Sequence, residues 1–187
     1  MTSAGEALQK PDGATYRAEG PLDRCAISEV VAAAFGSGAE AELVERIRES
    51  EHFIPELSVV AEIDGRVVGH VMISYATLYG EEGERPVAML SPLAVDPAFQ
   101  RRGIGSALVS YVTAEADARG EALVILEGSP RFYRRLGFEH SLPHGIEIPL
   151  PSWAPPEAAQ VVRLSSWSPA IRGRVKYPPA FDAFAEH

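Results

Sequence analysis

The residues best suited to chemistry lie between Leu90 and Leu108: Leu-Ser-Pro-Leu-Ala-Val-Asp-Pro-Ala-Phe-Gln-Arg-Arg-Gly-Ile-Gly-Ser-Ala-Leu. An apolar strand ends at Val95, and Gly103 and Gly105 then stand at the mouth of a helix that begins at Ile104. The first turn of a helix carries unpaired backbone N–H groups and the positive end of the helix dipole, so it captures phosphate wherever the backbone can be approached. Glycines permit that approach, and Arg101 and Arg102 add positive charge beside it. Two other phosphate motifs do not fit. A dinucleotide fingerprint needs a third glycine where Leu108 stands, and its first glycine directly after the strand, whereas Pro97 to Arg101 intervene here. A P-loop needs a Gly-Lys pair that does not follow.

A second segment, Phe132-Tyr133-Arg134-Arg135-Leu136-Gly137-Phe138, offers a phenol as proton donor. Together the two segments resemble the Gcn5-related N-acetyltransferases, and within them the predicted bacterial N-acetyltransferases. The family's pyrophosphate loop, Q/R-x-x-G-x-G/A, is matched by Gln100, Gly103 and Gly105, and it follows a Leu-Ala-Val strand that here ends at Val95. The family's F/Y-Y-x-x-x-G-F segment is matched by Phe132 to Phe138. The resemblance runs from Ala14 to Leu150. It implies the acyl-CoA N-acyltransferase fold, of α/β (α+β) class: a mixed, mostly antiparallel sheet splayed between its fourth and fifth strands, with about four flanking helices.

The same resemblance implies acetyl-CoA as co-substrate and no metal. The N–H groups of Arg101, Arg102, Gly103, Ile104, Gly105 and Ser106 would hold the pyrophosphate. Leu93, Ala94 and Val95 would pair with the pantetheine arm like an added strand. Ser129 would touch the cofactor, and Tyr133 would protonate the leaving thiolate. The implied reaction is direct attack of a neutral primary amine on the thioester in a ternary complex. Its base is open between Glu127 and a water relay, because Ser91 stands where some relatives carry a carboxylate. A module that binds acetyl-CoA for regulation or interaction, without turnover, is the alternative reading. Family members occur as monomers and as homodimers, and both states fit. His140 and His144 do not suggest a metal site, because Pro143 breaks the helix that would bring them together.

Elements must position these groups. Thr15 to Glu19 reads as a short strand, and Gly20-Pro21 opens a helix with Ile27, Val30, Val31 and Ala34 on one face, ended by Gly36. A second helix runs from Ser37 to Ser50. Leu57 to Ile63 alternates apolar and polar, Asp64-Gly65 makes a tight turn, and Arg66 to Leu78 returns. Val87 to Val95 is a strand that Pro92 leaves unpaired or bulged on one side. Ile104 to Arg119 is a third helix, Ala122 to Leu126 a buried strand, and Pro130 to Leu136 a short fourth helix. Prolines crowd the chain after Pro143, where Gln160 to Leu164 is the one strand expected. The expected organisation is a flexible leader at 1–13, an N-acetyltransferase domain at 14–150 and a proline-rich arm at 151–187 packed on the same domain.

Composition narrows the class. With 46% hydrophobic and 23% charged residues among 187, the chain can bury a core, and dominant disorder is excluded. A net charge of −9 argues against nucleic-acid partners. The single cysteine, Cys25, closes no internal bridge, and no apolar run is long enough to span a membrane, so a cytoplasmic location is expected. Residues 36–57 hold Glu40, Glu42, Glu45, Glu49, Glu51 and Glu56 against Arg46 and Arg48, which points to a cationic amine, on a small molecule or a peptide, as acceptor.

Overall fold

The computed structural model describes residues 13–184, so the expected leader, apart from Gly13, lies outside the described residues. Nine strands are described: β1 (Thr15–Ala18), β2 (Phe53–Ile63), β3 (Arg66–Gly80), β4 (Gly83–Val95), β5 (Leu123–Glu127), β6 (Glu139–His140), β7 (Ile146–Glu147), β8 (Ala159–Arg163) and β9 (Gly173–Lys176). The α-helices among these residues are α1 (Arg24–Phe35), α2 (Ala39–Arg48), α3 (Ile104–Ala118) and α4 (Pro130–Tyr133), the last continued by a tighter turn to Leu136. The sheet order is β1-β2-β3-β4-β5-β8-β6, with β9 on β3 and β7 on β9. Only β4–β5 and β7–β9 pair in parallel, which gives the mixed, mostly antiparallel sheet that was expected.

Apolar residues fill both faces of the sheet. On one face Ile27, Val31, Val44 and Ile47 of α1 and α2 meet Met72, Met89 and Ile125; on the other Leu108 and Val112 of α3 meet Val71, Ile73, Val124 and Leu126. The central strand β3 is therefore buried on both sides from Val67 to Ser74, and it reads as a continuous run rather than an alternation. The Asp64-Gly65 turn forms as expected, both residues having positive φ (49° and 76°).

The sheet splits where β4 leaves β5. The two strands pair only at Ala88↔Val124 and Met89↔Ile125. Just beyond, β4 bulges against β3: Ile73 pairs with Leu90 and Val71 with Leu93, which leaves Ser91 and Pro92 opposite Met72. Pro92, with no N–H to give, occupies the bulge that its type requires.

Four expectations need correction. β2 begins at Phe53 rather than Leu57, and the two-residue strands β6 and β7 come in addition to those expected. β4 begins at Gly83 rather than Val87, because the β3–β4 hairpin continues through the exposed residues Glu84 to Pro86, which give no apolar signal. The arm supplies β9 as well as the single strand expected there. β9 has one buried side chain, Val175, too few to show a pattern. It occupies the edge of β3 at Thr77 to Tyr79, where a Cβ on Gly173 would lie 2.1 Å from the Tyr79 carbonyl oxygen and one on Gly80 2.4 Å from that of Arg172. Only glycine allows that approach.

Candidate active site

The open edge of β4 is set by the alternation of an antiparallel ladder. The N–H of Asp96 donates to the carbonyl of Val68 (2.8 Å). In the same register Ala94 faces His70 as a hydrogen-bonded pair, whereas Leu93 and Val95 turn their N–H and C=O groups away from β3 into the split. Of the three residues assigned to cofactor pairing, Ala94 therefore has its backbone committed to β3 and its side chain buried. Leu93 and Val95 present the free edge. The Gln100 side chain donates to the Val95 carbonyl (3.1 Å), which ties the following loop back to the strand.

That loop places the mouth of α3 beside the same edge. Asp96 caps its first turn by accepting from the Ala98 N–H (2.9 Å) and pairs with Arg66 (2.7 Å). Arg101 and Gly103 both take left-handed conformations, with φ of 62° and 84°. Gly103 is the N-cap of α3 and has no side chain to cap it, and the first helical bond runs from Ala107 N–H to Gly103 C=O (3.0 Å). The N–H groups of Ile104, Gly105 and Ser106 belong to the unpaired first turn. Gly105 is helical, and a Cβ there would stand 3.6 to 3.9 Å from the side chains of Phe132, Val95 and Leu93, at ordinary contact distances. Arg102 donates to the Ala98 carbonyl and lies over the Phe99 ring (5.1 Å), with Arg66 also on that ring (5.4 Å). Arg101 remains exposed.

Tyr133 lies on the α3 side of the split, packed edge-to-face with Phe132 and Phe138 at 4.8 and 5.5 Å between ring centroids. Gly128 supports it: a Cβ there would fall 2.5 Å from the ring. Burial pushes the Tyr133 phenol up to about 12, so at neutral pH it keeps its proton. Ser129 is the exposed N-cap of α4, its carbonyl accepting from Phe132 and Tyr133 N–H.

This architecture is shared with known proteins. Residues 26–138 match the acetyltransferase (GNAT) family. The chain belongs to that family. It is similar to the uncharacterized N-acetyltransferase YhbS of Escherichia coli K12, 32% identical over 170 residues that make 90% of this chain and 98% of the relative. The 1.55 Å crystal structure of E. coli YhbS in complex with CoA superposes with a TM-score of 0.81 at 30% identity, covering 97% of this chain and 96% of that one. A GNAT family acetyltransferase from Brucella melitensis in complex with acetyl-CoA gives 0.73 at 30% identity, over 90% and 98% of the two chains.

The acidic segment at 36–57 is partly paired within the chain. Glu42 faces Arg46 (3.6 Å), Glu45 contacts Arg24 and Arg48, Glu56 contacts Arg119 (3.4 Å), and Glu40 accepts from Ser37 (2.7 Å). Of the arginines in these pairs, Arg24 and Arg119 come from outside the segment. Glu127 ends β5 as an exposed residue, and partial desolvation pushes its carboxyl up from its ordinary value.

His70 belongs to a buried network under α2. Arg48, 2% exposed, binds Glu19 through two nitrogens (2.7 and 2.8 Å). Ser58 donates to Glu19 (2.6 Å), and His70 Nε2 lies 2.9 Å from the Ser58 oxygen. These four residues come from separate elements, and no sequence spacing links them. Among the described residues no cluster of three or more metal-binding side chains is found, and no helix is long and apolar enough to cross a membrane.

Proposed function

We propose that the split between β4 and β5 binds acetyl-CoA and that the protein passes the acetyl group to a primary amine by direct attack in a ternary complex. One observation carries this reading: the outward-facing N–H groups of Leu93 and Val95 lie beside the unpaired first turn of α3, a Cβ on Gly105 standing only 3.7 and 3.9 Å from the Val95 and Leu93 side chains. An extended amide-bearing arm fits the edge as an added strand, and a pyrophosphate fits the N–H groups at the other end. The complexes of the YhbS and Brucella relatives with CoA and acetyl-CoA support it.

Acetyl-CoA, when bound, supplies the thioester carbonyl that an amine attacks. The chain's own residues do the rest. Leu93 and Val95 orient the arm, Arg101 to Ser106 hold its far end, and Ser129 touches the cofactor. Tyr133 keeps its proton until a thiolate develops and then gives it up as general acid. The transferase unit in this reading is residues 14–150, and the described part of the arm, 151–184, packs against it. Thiol release from acetyl-CoA, measured against a panel of primary amines, tests the reading. Amine-dependent release with intersecting double-reciprocal plots is expected. Binding of acetyl-CoA without amine-dependent release would mark a non-catalytic module instead.

A further inference from the structure

The arginines of this chain fall into two groups. Eight of the fifteen are ion-paired with carboxylates. Of the seven with no carboxylate partner among the described residues, five are Arg101, Arg102, Arg131, Arg134 and Arg135. These five come from two stretches, residues 97–114 and 128–138, that hold no Asp or Glu at all, although the chain carries 26 acids among its 187 residues. Positive charge left uncompensated in an acidic protein is thus concentrated on α4 and on the loop into α3.

Two phenylalanine rings carry guanidiniums beside the first turn of α3. Arg102 lies over Phe99 (5.1 Å), ahead of the helix start. From α4, the tip of the Phe132 ring stands 3.6 Å from where a Cβ on Gly105 would lie, and Arg135 lies over the same ring at 6.0 Å from its centroid. The Arg135 guanidinium is therefore one ring away from the N–H groups that open α3. Arg131 precedes it by four residues in the same short helical stretch, with Arg134 between them. Like charges at that spacing repel. All three are exposed, so solvent weakens the repulsion, and a doubly charged anion bound among them would reverse it.

Coenzyme A carries, besides its pyrophosphate, a phosphate monoester on the 3′ carbon of its ribose. The N–H groups at the start of α3 account for the pyrophosphate. The ribose phosphate lies beyond it, away from the thioester, and such a monoester carries about −1.5 to −2 charges at pH 7. A guanidinium, always charged and with its donors in a planar fork, suits that group better than any other side chain. We propose that Arg135, with Arg131 beside it, binds the ribose 3′-phosphate, so that the protein selects acyl donors built on coenzyme A over donors that present the same pantetheine arm without that phosphate. The inference rests on the acetyl-CoA reading of the split, not on acetyl transfer.

Coenzyme A and dephospho-coenzyme A differ only in this phosphate, so calorimetric titration of the whole protein with each isolates its contribution without amine or turnover. The native protein should bind coenzyme A about 10- to 100-fold more tightly, the range for hydrogen bonds to a charged group, and the preference should shrink as salt rises. Arg135→Gln should bring that ratio towards one and Arg131→Gln should lower it in part, with the affinity for dephospho-coenzyme A unchanged in both. Arg85→Gln removes the same charge from the β3–β4 hairpin and should keep the full ratio. Equal affinities for the two ligands in the native protein, or the full ratio in both Arg131→Gln and Arg135→Gln, overturns the inference and leaves the acetyl-CoA reading standing. A loss in Arg85→Gln as large as in Arg135→Gln overturns it too, by reducing the effect to net charge. Failure of both ligands to bind the native protein defeats the acetyl-CoA reading and this inference with it.

Discussion

Tyr133 is held by groups that leave its ring little choice of place. The flanking phenylalanine rings fix its edge, and Gly128 gives it a floor with no Cβ. Tyr133→Phe keeps that packing and removes only the proton, so kcat should fall by about 10- to 1,000-fold while acetyl-CoA affinity stays nearly constant. Equal losses in calorimetric affinity and in rate would assign the tyrosine to packing. Gly128→Ala tests position rather than chemistry. Its methyl would have to displace the ring, so kcat should drop although the phenol is intact. A variant with native kcat would show that the ring's place does not matter. The sequence exposed Tyr133 because a motif surrounds it. It concealed the support from Gly128, which is a contact across a turn.

At the scale of elements, the loop from Asp96 into α3 was legible because its demands are local: a cap, a left-handed residue and a helix start. Its two glycines nevertheless answer different demands. Gly103 has a φ of 84°, so Gly103→Ala should cost about 1 kcal/mol in stability through the backbone alone. Gly105 is helical and has room for a Cβ at ordinary contact distances. Gly105→Val should leave the denaturation midpoint nearly unchanged, because the helix-propensity difference from glycine to valine is small. Acetyl-CoA binding should be lost in calorimetry, since the added methyl groups occupy the gap beside Leu93 and Val95. Undiminished affinity in Gly105→Val would remove the gap from the binding site. The split of β4 from β5 was implied by resemblance, and Pro92 gave its only local trace. β9 left none, because its pairing depends on Gly80 and Gly173 meeting across 93 residues of chain.

For the molecule as a whole, the fold order was readable from alternating and helical patterns as far as the short helix ending at Leu136, whereas the two-residue strands β6 and β7 are too short to show a pattern. Interactions that join distant elements were not. The network of Arg48, Glu19, Ser58 and His70 fastens α2 to β2, β3 and the segment after β1, and it should set the acid stability of the protein. Because the Ser58 proton goes to Glu19, His70 must donate from Nε2. Its Nδ1 is buried without a partner, and burial holds the imidazole below its usual value. Below about pH 6.5 the unfolded chain gains a proton that the folded chain refuses, so stability should fall with pH from there at up to about 1.4 kcal/mol per unit. The Glu19 carboxyl, held far down chiefly by Arg48 against its own burial, adds a further loss only in the carboxylate range. Thermal unfolding between pH 7.5 and 5 should show this slope, and His70→Gln should flatten it. An unaltered slope would place the titrating group elsewhere.

The central claim is that acetyl-CoA lies along the free edge of β4 with its pyrophosphate on α3. Residue-resolved amide hydrogen exchange, with and without acetyl-CoA, tests it most directly. The geometry predicts new protection at Leu93 and Val95 and at Ile104, Gly105 and Ser106, with Ala94 unchanged because its N–H already belongs to β3. Protection at Ala94 with none at its two neighbours, or no change at the start of α3, would contradict the account.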